Sequence, residues 1–148
     1  MEKTIVRIKK LDENAIIPKY GSEYAAGADL YACTDGDTVI PAGKTVMIHT
    51  GVALEVPVGY AGLVYARSGL ASKRGLAPAN KVGVVDADYR GEIMVALHNH
   101  SDEDQTVADK ERIAQFVITP VLAVEFEEVE ELEDTVRGAG GFGSTGTK

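Results

Sequence analysis

Short apolar stretches alternate with turn signals at close spacing along this chain, and their residues are β-branched more often than helix-forming. Val6 and Ile8 alternate with Arg7 and Lys9, Val52, Leu54 and Val56 with Ala53 and Glu55, and Ile93, Val95 and Leu97 form a third stripe. Between them lie Asp35-Gly36, Pro41-Ala42-Gly43 and Pro57-Val58-Gly59, which carry hairpin or type I turn chemistry. The pattern predicts an all-β sandwich or jelly-roll domain with no internal repeat and no linker. One segment departs from it. Ser68 to Gly75 predicts a short helix with Ser68 as N-cap and Gly75 as its stop. Beside Arg67, the free N–H groups of that helix start are either an anion site or the plain beginning of a connector. Asn80 to Leu97 reads as a hairpin whose turn is Asp86-Ala87-Asp88-Tyr89-Arg90-Gly91. Asp86 stands where strand meets turn: either a half-buried carboxylate raised toward the pKa of a general base, or an ordinary turn cap.

At 148 residues and 45% hydrophobic content the chain suits one globular domain, residues 1–148. No stretch reaches the ~18–20 apolar residues of a membrane span, and Met1-Glu2-Lys3-Thr4 does not open a signal peptide, so a soluble cytoplasmic protein without a membrane partner is expected. The single cysteine, Cys33, has no internal disulfide partner and reads as packing in a reducing compartment. A net charge of −8, with an acidic run from Glu125 to Asp134, argues against nucleic acid as a partner. A polyanionic ligand would have to meet local arginines and backbone amides, and Arg67, Arg90, Arg112 and Arg137 are the candidates. His98 and His100 share a strand face without a third zinc ligand, and His49 reads as a strand or surface residue.

Residues 138–147, Gly-Ala-Gly-Gly-Phe-Gly-Ser-Thr-Gly-Thr, combine bare N–H groups, hydroxyls and one ring. Glycines at positive φ can turn amides inward around an anion, and Phe142 offers a stacking face worth about 1–3 kcal/mol for a base. The same composition also suits a flexible tail.

Five separated motifs, in order, resemble the trimeric dUTPase family over nearly the whole chain. They are Ala26-Gly27-Ala28-Asp29-Leu30; Ala66-Arg67-Ser68-Gly69-Leu70; Gly83-Val84-Val85-Asp86-Ala87-Asp88-Tyr89-Arg90-Gly91; Arg112-Ile113-Ala114-Gln115; and Arg137 through Gly146. Each alone is weak, and five in sequence are specific. Ala66 departs from the proline that many relatives carry before Arg-Ser, a change of turn stiffness more than of chemistry.

The resemblance implies a jelly-roll of the β-clip type with one short helix, assembled as a homotrimer whose sites each draw on all three subunits. It implies hydrolysis of dUTP to dUMP and pyrophosphate, which keeps uracil out of DNA and supplies dUMP for dTMP synthesis. Asp86 would be the catalytic, water-activating carboxylate. Asn80, Gly83, Val84, Val85 and Met94 would form the uracil reader, Tyr89 would pack under the deoxyribose, and Phe142 would cover the base. Arg67, Ser68, Gly69 and Gln115 would bind the phosphates, joined by Arg137, Gly143, Ser144 and Thr145 from a Gly-rich arm, residues 137–148, that closes over the site. The implied cofactor is Mg²⁺ held mainly by triphosphate oxygens, with Asp29 near its water shell or against the arm's arginine. A dCTP deaminase, a bifunctional deaminase–dUTPase, and a nucleotide-sensing module without turnover are the rival readings.

Overall fold

The computed structural model describes residues 2–147, so Met1 and Lys148, the ends of the expected domain and arm, lie outside the described residues. Three antiparallel sheets carry the fold. In the first, β1 (Arg7–Lys10), β5 (Thr45–Glu55), β9 (Glu92–Asn99) and β7 (Leu76–Pro78) lie in that order. In the second the order is β2 (Lys19–Tyr20), β3 (Ala28–Tyr31), β11 (Arg112–Pro120), β6 (Tyr60–Tyr65) and β8 (Gly83–Val85). A small third sheet pairs β10 (Gln105–Val107) with β4 (Thr38–Ile40). Consecutive strands repeatedly change sheet, which is the jelly-roll arrangement that the strand pattern and the resemblance predict.

The apolar stripes explain the layers. Ile93, Val95 and Leu97 are buried at alternate positions of β9, and they meet Ile48 and Val52 of β5 together with Leu30, Val64, Ile113 and Phe116 from the second sheet in one core cluster. Each such side chain contributes about 1.5–3 kcal/mol by leaving water. The alternation fails at Ala61 and Gly62 of β6, at Ile113 and Ala114 of β11 and, over the longest run, in β5. Gly51 through Leu54 of β5 are all buried: Val52 and Leu54 belong to the core cluster, and Gly51 is packed against Ala15, Cys33 and Asp12.

Two expectations about connections need correction. Residues Asn80 to Leu97 do not form a hairpin: β8 pairs with β6, whereas β9 has both edges taken by β5 and β7. Residues 86–91 therefore carry the chain from one sheet to the other. Likewise the turns at Pro41 and Pro57 are corners between sheets and not hairpins. In each the fourth residue donates to the first, Lys44 N to Pro41 O at 3.0 Å and Tyr60 N to Pro57 O at 3.1 Å. Gly43 (φ 73°) and Gly59 (φ 91°) take the positive φ that a type II turn, not a type I, requires at its third residue.

The predicted helix is present as α1 (Ser68–Arg74), with Gly75 at φ 66° closing it. Its N-cap is Arg67, in extended conformation and without a side-chain cap, so Ser68 is the first helical residue and not the cap. Leu70 anchors the helix in the core. Arg74 ties its end to Glu111 and to the carbonyl of Thr106.

Candidate active site

The crossing from β8 to β9 opens a cavity of about 290 Å³ between the two large sheets. Asn80, Gly83, Val84, Val85, Asp86, Tyr89 and Met94 all line it, with Met47 and Glu92 beside them. Local chemistry shapes each wall. A Cβ on Gly83 would stand 3.2 Å from Asn80 Nδ2 and 3.3 Å from Val64 Cβ, so the glycine lets the asparagine fold against the strand. Past Val85, the Tyr89 N–H donates to the Asp86 carbonyl at 3.1 Å, and Arg90 Nη1 braces the same turn through the Ala87 carbonyl at 2.7 Å. Tyr89 Oη donates to the Glu92 carbonyl at 2.8 Å, which lays the ring across Gly91. Asp86 itself is exposed in the single chain and not half-buried, because it follows the last residue of an edge strand.

A second group sits where β3, β6 and β11 run side by side. Gln115 is opposite Asp29 on one side and Tyr65 on the other. Its Nε2 donates to the Ala66 carbonyl at 2.8 Å and so fixes the approach to Arg67. Gly27 makes room for it, since a Cβ there would lie 2.7 Å from Gln115 Oε1. Arg67 Nε donates to Asp29 Oδ1 at 3.0 Å, and Arg112 Nη1 lies 3.6 Å from Oδ2. Asp29, with its side chain only 13% exposed, thus faces two guanidinium groups. Ser68 and Gly69 are exposed at the start of α1. None of Arg67, Ser68, Gly69 and Gln115 lines the cavity. Among the described residues no group of three or more His, Cys, Asp or Glu side chains is arranged to hold a metal ion.

The third group is the C-terminal segment. Arg137 Nε donates to the Gly140 carbonyl at 2.7 Å, and Ser144 N and Gly146 N donate to Gly141 and Gly143 carbonyls. These turns close on themselves. Phe142 is fully exposed with φ 52°, and Gly143 (φ 88°), Ser144 and Thr145 are exposed beside it. The chain on its own therefore assembles the cavity wall around Asp86 and Tyr89, and neither the group of Arg67 and Gln115 nor residues 137–146 line it.

Sequence reasoning missed Gly91 and Glu92 as shapers of the cavity. The signal for Gly91 was its place two residues after the pocket tyrosine. For Glu92 there was none, because its partners come from β5, some forty residues earlier in the chain.

The dUTPase family pattern matches residues 13–146. A deoxyuridine 5′-triphosphate nucleotidohydrolase of Syntrophotalea carbinolica is 49% identical over 146 residues, covering 99% of both chains. The protein of that name from Nautilia profundicola is 51% identical over 141 residues, covering 95% of this chain and 98% of its own. Among solved structures, a Staphylococcus bacteriophage 80alpha dUTPase mutant with dUpNHpp superposes with TM-score 0.88 at 29% identity, covering 98% of this chain and 100% of that one. With a jelly-roll fold, an ordered set of five motifs and relatives matched from end to end, this chain belongs to the dUTPase family.

Proposed function

We propose that the chain hydrolyses dUTP to dUMP and pyrophosphate, lowering dUTP so that uracil is kept out of DNA and supplying dUMP for dTMP synthesis. The observation that carries this reading is the cavity at the sheet crossing, which gathers the Asp86 carboxylate, the Tyr89 ring and the strand backbone that such a substrate needs. Asp86 accepts a hydrogen bond from water, aligns it with the α-phosphorus and takes its proton as the oxygen attacks. The new P–O bond forms as the bond to the bridging oxygen breaks, and pyrophosphate leaves with that oxygen. Most of the acceleration comes from alignment and charge stabilisation.

Tyr89 lies against the deoxyribose and leaves no room for a 2′-hydroxyl. Backbone groups of Gly83, Val84 and Val85, with Asn80 and Met94, read the uracil edge, and the amine of cytosine would leave them mispaired. The nucleotidohydrolase names of the relatives favour this over the deaminase readings.

Arg67, Ser68, Gly69 and Gln115 bind the phosphates, and the arm adds Arg137, Gly143, Ser144 and Thr145 while Phe142 covers the base. One chain does not bring these groups to its own cavity, which supports a working unit of several subunits, the homotrimer that the family resemblance implies. Uncovered apolar side chains after β11, Leu122 at 90% exposure and Phe126 at 94%, support such an assembly. A bound Mg²⁺ would supply charge neutralisation to the triphosphate and its leaving group. Asp29 is already engaged by two arginines and the described residues offer no metal cage, which suits an ion held by phosphate oxygens and water. No helix among the described residues is long and apolar enough to cross a membrane, and a cytoplasmic site of action, where nucleotides are pooled, fits that.

The test is Asp86→Asn. It should bind dUpNHpp with the affinity of the unaltered protein and lose at least about 10²-fold in turnover of dUTP, within the range for a positioned proton acceptor. Undiminished turnover would remove Asp86 from the mechanism.

A further inference from the structure

We infer that Glu92 is a positioning residue for Tyr89: clamped at a break in the β5–β9 ladder by Gly51 and His49, it fixes the carbonyl that holds the tyrosine hydroxyl, and thereby sets how strongly the pocket prefers deoxyribose to ribose. This rests on the reading of the cavity as the base-and-sugar site.

The ladder between β5 and β9 is regular from Thr45 opposite His98 to His49 opposite Met94, and then slips until Ala53 stands opposite Glu92. Four steps on β5 match two on β9, so the regular ladder is interrupted beside Ile93, just after the chain arrives from the cavity turn. Two substitutes fill the gap. The Thr50 hydroxyl donates to the Ile93 carbonyl. The Glu92 carboxylate accepts from the Gly51 N–H at 2.9 Å, and each of its oxygens is 3.0 Å from His49 Nδ1. Gly51 reaches this position only at φ 71°, where a Cβ would stand 2.8 Å from Ala15 Cβ, so the donor is held by packing on its far side. The Glu92 side chain is 23% exposed and shielded enough for these bonds to matter.

The backbone end of the same residue faces the cavity turn, and its carbonyl receives the Tyr89 hydroxyl at 2.8 Å. One residue therefore spans the bulge and the tyrosine. If the carboxylate is released, the peptide that carries the acceptor keeps its pairing opposite Ala53 but loses its side-chain clamp, and the tether of the ring loosens.

The experiment combines Glu92→Gln with Tyr89→Phe and measures kcat/KM for dUTP and for UTP. A carboxamide keeps one acceptor and the side-chain volume, which protects the fold. Glu92→Gln should lower the dUTP over UTP preference by about tenfold in the unaltered background and by less than twofold in the Tyr89→Phe background, where no hydroxyl remains to be positioned. Equal losses in both backgrounds, or no loss in either, would overturn the proposal.

A second measurement is independent of turnover. In protein labelled with fluorotyrosine, the ¹⁹F resonance assigned to Tyr89 by its loss in Tyr89→Phe should shift in both Glu92→Gln and His49→Ala. An unmoved resonance overturns the positioning role. A chain that fails to turn over dUTP at all while that resonance shifts overturns the assigned reaction and leaves the tether standing.

Discussion

Gly91→Ala should damage selectivity far more than stability. A Cβ at this position would lie 2.5 Å from Tyr89 Oη, 2.6 Å from Cζ and 3.0 Å from Cε1. Ordinary carbon contacts begin at about 3.4 Å, so the ring must retreat by roughly 1 Å. Because Tyr89 is 45% exposed, it can swing outward without disturbing the core. The stability cost is then the lost hydroxyl bond to the Glu92 carbonyl, about 0.5–1.5 kcal/mol, or a fall in Tm of about 2–5 °C. The catalytic cost is larger, since a displacement of about 1 Å at a reacting site can lose on the order of 10²-fold. The assay is kcat/KM for dUTP and UTP alongside thermal denaturation. The expected result is a fall of ten- to a hundredfold for dUTP and a reduced preference over UTP, with folding retained. Unchanged selectivity in a folded variant would refute the claim that the tyrosine ring against Gly91 forms the sugar wall.

Three further outcomes follow from the same geometry. Gly69→Ala, in the first turn of α1 with open space around it, should raise thermal stability by up to about 1 kcal/mol through helix propensity and yet slow dUTP hydrolysis by crowding the phosphates; equal or faster hydrolysis would take Gly69 out of the phosphate site. Removing residues 138–148 should abolish hydrolysis while sedimentation still reports a trimer, and full activity of the truncated chain would end the closing-arm account. For Glu92, burial pushes the carboxyl pKa up, but the bonds from His49 and from the backbone at Gly51 and Thr50 outweigh it and hold the group below its ordinary value of 4.5. The folded state thus binds this proton less readily than the unfolded chain, so the stabilisation is present above about pH 4.5 and is lost as the pH falls through the lowered folded value. Glu92→Gln should therefore be less stable than the unaltered protein at pH 7, with the gap narrowing below pH 4.5 in denaturant titrations; a gap that stays constant with pH would contradict the clamp.

Much of the architecture was legible because burial on one face leaves a period of two in the sequence. Ile93, Val95 and Leu97 announced β9 in this way, and Gly75 announced the end of α1 by the positive φ that only glycine takes cheaply. Pairing was less legible, because a strand's sequence states which face is buried and not which neighbour receives its edge. Gly83–Val85 and Glu92–Asn99 sit close in sequence and look like hairpin arms, but the long strand β5 supplies a larger apolar partner for β9.

Asp86 stood out by its place where strand meets turn, whereas the cavity residues on either side of residues 86–91 came from the family resemblance and not from periodicity or spacing. The tether through Glu92 depends on a bulge at Gly51, and only the folded chain brings those positions together. Ser68 was expected to cap α1, yet Arg67, held by Asp29, takes that position and leaves the serine hydroxyl free of the cap.

The measurement that tests the account most directly is product analysis of dUTP, UTP, dCTP and dTTP, each incubated separately with the purified protein and Mg²⁺. Release of dUMP and pyrophosphate from dUTP alone is the predicted result. Deamination of dCTP, or no turnover of any of the four, would contradict it.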